Sequence, residues 1–66
     1  MNATINGETR ELADGTTLAQ LLDDLRLERN GIAVAVNERV VRGVSFEGHA
    51  LSDGDVVEII RAVAGG

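Results

Sequence analysis

Three places in this 66-residue sequence hold side chains or end groups that could do chemistry. The first is Asp53-Gly54-Asp55, with His49 just before it. Paired carboxylates can hold a cation, and an imidazole can ligate a metal or relay a proton. Here the spacing supports neither. A calcium loop needs further oxygen ligands and a glutamate at a fixed distance, and both are missing. Asp-Gly-Asp therefore reads as a turn and His49 as a loop residue. The second is Arg61, which could pair with an acidic group on a partner or stand as an ordinary solvated strand residue. The third is the end of the chain, Ala64-Gly65-Gly66. A terminal carboxylate is ionised at neutral pH and is a poor electrophile. An enzyme must convert it to an acyl-adenylate before a nucleophile can attack, and must do so in a closed, water-poor site. A strand without side chains can thread such a site, whereas a β-branched residue would clash. Gly66 is thus the candidate reactive residue, and Ala64 and Gly65 its approach.

Composition narrows what could sit behind that terminus. Sixty-six residues make one domain, too small for a cleft between lobes, so a free-standing enzyme is not expected. Hydrophobic residues are 44% and charged ones 26%, a globular balance. Eleven acidic residues face six arginines, a net charge of −5 that repels phosphate backbones and argues against nucleic acid as partner. Basic protein surfaces suit it better. There is no cysteine, so there is no disulfide framework, no thiolate metal site and no thiol chemistry of the chain's own. No signal peptide or membrane-length apolar run is seen, so the expected compartment is the cytoplasm, with no membrane partner.

The elements that must position the terminus follow from periodicity. Asn6-Gly7 predicts a two-residue hairpin pairing 5 with 8, 3 with 10 and 1 with 12. Met1, Ala3, Ile5 and Leu12 then share a face, and Arg10 joins it at an edge where it can snorkel. Leu18, Leu21, Leu22 and Leu25 form a helical stripe, Thr17 and Gln20 a capping box, and Asn30-Gly31 the stop. In GIAVAVN, Ile32, Val34 and Val36 point to the core. The stretch from Arg39 to Asp55 is read as irregular, anchored by Val40, Val41, Phe46 and Leu51. VVEIIRAV is the last strand, with Val57 and Ile59 inward because Glu58 must face water. This ββαββ order predicts an α+β fold, a mixed sheet covered by one amphipathic helix: a β-grasp, or ubiquitin-like, arrangement. Residues 1–62 form that domain and 63–66 a flexible tail. With the core assigned, Ala33, Ala35, Val56, Glu58, Ile60 and Ala62 remain on the outer face of the sheet, a shallow apolar patch of the kind that docks partners.

Taken together, DGTTLAQLLDDL, GIAVAVNERVV, LSDGDVVEIIRAV and the closing Ala64-Gly65-Gly66 resemble the ThiS family of sulfur carriers in thiazole and thiamin biosynthesis, over essentially the whole chain. The resemblance implies a mechanism. An E1-like adenylyltransferase would activate Gly66, using ATP and Mg that it binds itself, while this chain holds no cofactor or metal. Sulfur from a donor such as a cysteine desulfurase would give a Gly66 thiocarboxylate, and thiazole synthase would take that sulfur. The small subunit of molybdopterin synthase and the carriers of cysteine synthesis share these features. A non-covalent β-grasp module and a ubiquitin-like modifier are the alternatives from other classes.

Overall fold

The computed structural model describes residues 1–61. The elements are β1 (Asn2–Ile5), β2 (Glu8–Glu11), α1 (Leu18–Asp24), β3 (Ile32–Val36), β4 (Arg39–Val41), a 3-10 turn (Gly43–Ser45) and β5 (Val56–Arg61). One five-stranded sheet runs in the order β2-β1-β5-β3-β4. β1 and β5 are parallel at its centre, and the other neighbours are antiparallel. The predicted α+β, β-grasp class is the one observed, with five strands rather than four.

The first hairpin has the predicted register, Ile5 opposite Glu8 and Ala3 opposite Arg10. Asn6 and Gly7 take φ of 49° and 83°, the left-handed pair that matches strand twist. The second hairpin was not foreseen. Asn37 and Glu38 also take positive φ, 50° and 69°, so Val36 pairs with Arg39 and the chain returns as β4. Val41 lies opposite Val34 on the core side, while Val40 lies opposite Ala35 and is 77% exposed. The expectation that Val40 anchors the core is therefore wrong, because a two-residue turn fixes the register that turns it outward. Phe46 and Leu51 are buried as expected.

Helix α1 places Leu18, Leu21 and Leu22 against Ala3, Ile5, Val34, Val36, Val57, Phe46 and Leu51, with Leu25 half-buried at the margin. Its N-terminus is fully satisfied. The capping box of Thr17 and Gln20 forms, and the amides of Leu18 and Ala19 donate to the carbonyls of His49 (3.0 Å) and Phe46 (3.1 Å). The irregular segment thus serves as a cap, with Phe46 driven into the core to hold it there. The helix stops earlier than predicted. Arg26 donates to Asp23 O (3.0 Å) and Leu27 to Leu22 O (2.9 Å), a Schellman closure with Arg26 in the left-handed position at φ 58°. Asn30-Gly31 only turns the chain into β3.

Candidate functional site: the outer sheet face and the end of β5

β5 carries the chain toward the Gly-Gly terminus, and the fold holds it from both sides. On one side the Asn6 side chain extends the β1 pairing: its Oδ1 accepts from the Ile59 amide (2.8 Å) and its Nδ2 donates to the Ile59 carbonyl (3.3 Å). On the other, Asn37 Oδ1 accepts from the Val56 amide (2.9 Å) while Nδ2 donates to Asp55 Oδ1 (2.9 Å). The first residue of each hairpin turn is an asparagine because it tolerates positive φ. Its amide then serves as a short stand-in for strand backbone.

Asp53-Gly54-Asp55 belongs to the same framework. Asp53 Oδ1 accepts from the Asn2 amide (2.7 Å) and Asp55 Oδ2 from the Ser52 amide (2.8 Å), while Gly54 takes φ 86°. Both carboxylates are occupied in holding a turn, as expected. His49 is half-buried in the capping loop. Among the described residues no group of three or more His, Cys, Asp or Glu could hold a metal ion.

The outer face is built as the sequence predicts. The register places Ala33 opposite Ile60 and Ala35 opposite Glu58, with Val56 beside Thr4 of β1. Ile60 is 60% and Val56 46% exposed, whereas Val57 between them is fully buried. Val40 extends the apolar strip across Ala35 to the sheet edge, a member that sequence reasoning placed in the core. An asparagine between two β-branched runs was the signal available for it. Ala62, Ala64, Gly65 and Gly66 lie outside the described residues.

Charge is distributed unevenly over this face. The residues opposite Arg10, Arg39 and Arg61 are Ala3, Val36 and Ile32, which face the core side, so these arginines project from that side or its edges. Glu58 stands within the outer face. A recess of about 320 Å³ between Asn37, Glu38, Val56 and Glu58 borders it. An apolar strip with acidic neighbours is what a basic-rimmed protein surface complements. A second, polar recess of about 280 Å³ lies at the end of β5, lined by Arg26, Glu28, Asn30 and Arg61. No helix among the described residues is long and apolar enough to cross a membrane.

Comparison with known proteins decides the family. The ThiS family model matches residues 3–66. The chain belongs to the ThiS family. It is 40% identical over 62 residues to the sulfur carrier protein ThiS of Thermus thermophilus, covering 94% of this chain and 95% of that one. The crystal structure of the thiamine biosynthesis protein ThiS from Geobacter metallireducens superposes with a TM-score of 0.85 at 29% identity, covering both chains completely. The chain also aligns over its whole length, at 35% identity, with a segment making up 20% of a thiazole synthase from Paramagnetospirillum magneticum. Family membership makes this ThiS-type chain a sulfur carrier of thiamin biosynthesis, not an enzyme.

Proposed function

We propose that the chain carries sulfur on the carboxylate of Gly66, activated by a separate enzyme that docks on the outer sheet face. An E1-like adenylyltransferase, binding ATP and Mg itself, transfers AMP to that carboxylate and releases pyrophosphate. The persulfide of a donor such as a cysteine desulfurase displaces AMP to give an acyl disulfide. A second thiol of the partner proteins attacks the donor-side sulfur, forming a disulfide there and releasing the Gly66 thiocarboxylate. Thiazole synthase then accepts the sulfur. Without a cysteine, this chain can offer no thiol of its own, so the carrier group must be an end group made by a partner. The residues assigned to docking are Ala33, Ala35, Val56, Glu58, Ile60 and Ala62, with Ala64 and Gly65 threading the partner's site. The setting is the cytosol.

The observation that carries this reading is the family match, which runs through Ala64-Gly65-Gly66 to residue 66. Two others support it. A thiazole synthase contains a segment similar to this whole chain, which favours that enzyme as a partner. Among the described residues the apolar strip reaches Ile60, so docking energy is available close to the tail that threads the partner's site. The test is intact-mass spectrometry after incubation with ATP, a sulfur source and the cognate adenylyltransferase. Replacement of one oxygen by one sulfur is expected. An isopeptide-linked conjugate instead would make the chain a modifier, and an unchanged mass with an active enzyme would reject both.

A further inference from the structure

Arg26 occupies a backbone position that disfavours it. At φ 58° it closes the end of α1, where glycine would be free of strain. Among the described residues its side chain makes no hydrogen bond or ion pair. Among the described residues the arginine held in an ion pair is Arg29, 3.1 Å from Glu47, not Arg26. A strained residue whose side chain has no partner among the described residues points to a role outside the fold.

That side chain lines the polar recess at the end of β5. Arg61 stands on its other side, and Glu28 and Asn30 also line it. A chain of net charge −5 thus commits two of its six arginines to one hollow, against a single carboxylate among the described residues. Arg61 follows Ile60 of the apolar strip and precedes Gly66 by five residues. Its Cα can lie no more than about 18 Å from that of Gly66 even along extended chain. Arg61 faces the helix side of the sheet, so whatever fills the recess sits around the end of β5 from the outer face, within one tail length of the reacting carboxylate.

Resting on the carrier reading above, we infer that the recess between Arg26 and Arg61 receives a carboxylate side chain, Asp or Glu, of the enzyme that adenylates the terminus. Guanidinium forks match a carboxylate in two directions, and two of them fix its position as well as its charge. A charged contact outside the apolar interface, reached around the end of β5, acts chiefly on the association rate and is sensitive to salt. It sets how the carrier is presented, with its terminus turned toward the ATP site, while the apolar strip holds it there.

The test compares Arg26→Gly, Arg61→Gln and Arg29→Gln with the unaltered chain. The readout is kcat/KM for sulfur loading by the cognate adenylyltransferase at about 0.05 M and about 0.3 M salt. Arg26→Gly and Arg61→Gln each lower kcat/KM about tenfold at low salt, and the gap narrows at high salt. Arg29→Gln makes the same change in net charge at a residue that pairs with Glu47 and is not among those lining the recess, and stays within about twofold. Arg26→Gly melts no lower than the unaltered chain, since glycine relieves the strained backbone, so its loss of loading cannot come from unfolding. Either recess variant within twofold of the unaltered chain, or an equal loss in Arg29→Gln, overturns the proposal. An unaltered chain that takes up no sulfur overturns the carrier reading itself, and that outcome is seen before any variant is examined.

Discussion

Ile60→Asp separates docking from folding. Ile60 is 60% exposed and lies opposite Ala33, so roughly 100 Å² of apolar side chain faces water. At about 25 cal/mol per Å², covering that area contributes about 2.5 kcal/mol to a complex, which is about 60-fold in affinity. Aspartate forfeits the burial and adds a second carboxylate on the same face as Glu58, so the loss is at least that large. Fold stability hardly involves this side chain, and the expected change is within about 1 kcal/mol, or up to about 8 °C in melting temperature for a domain this small. The neighbouring Val57 is fully buried. Val57→Asp would place an unpaired charge in the core and unfold the chain, providing the contrast. The assay is titration of each folded variant against the cognate adenylyltransferase by calorimetry, with thermal melts alongside. Unchanged affinity for Ile60→Asp would refute docking on this face. A melting temperature that collapses as it does for Val57→Asp would refute its placement outside the core.

Two further predictions concern the brace on β5 and the loop that caps α1. Asn37→Gly keeps the left-handed backbone of the second hairpin but loses the bonds to Val56 and Asp55, and is expected to cost about 2 kcal/mol in urea titrations. Asn37→Ala adds strain at φ 50° and should cost about 1 kcal/mol more; equal stability of the two variants would show that the turn is not held left-handed. Phe46→Ala removes the largest buried side chain and with it the loop that caps α1, an expected loss of about 3–5 kcal/mol. A loss under about 1 kcal/mol would mean the loop caps the helix without Phe46.

What the sequence reveals follows the range of the interactions involved. The first hairpin is legible because Asn6-Gly7 carries its own turn chemistry, and the leucine stripe because its period is local. The second hairpin is not, since Glu38 at positive φ has no intrinsic preference for it; the pairing of β3 with β4 supplies the reason. Arg26 ended the helix before Asn30-Gly31 because Leu27 packs back on the core and closes the last turn. The bracing of Ile59 by Asn6 joins residues 53 apart, beyond any pattern in the chain. The outer face was legible because Glu58 alone sets the phase of β5. Its extension to Val40 was not, because that depends on the unforeseen strand. The polar recess stayed hidden for a similar reason: Arg26 and Arg61 meet only once the fold is closed.

The account stands on where the sulfur goes. After loading with ATP, a sulfur source and the cognate adenylyltransferase, fragmentation of the intact chain in the mass spectrometer should place the oxygen-to-sulfur exchange on Gly66. Addition of thiazole synthase and its substrates should return that residue to a carboxylate. Sulfur on any other residue, or equal loading of a chain lacking Gly66, would contradict it.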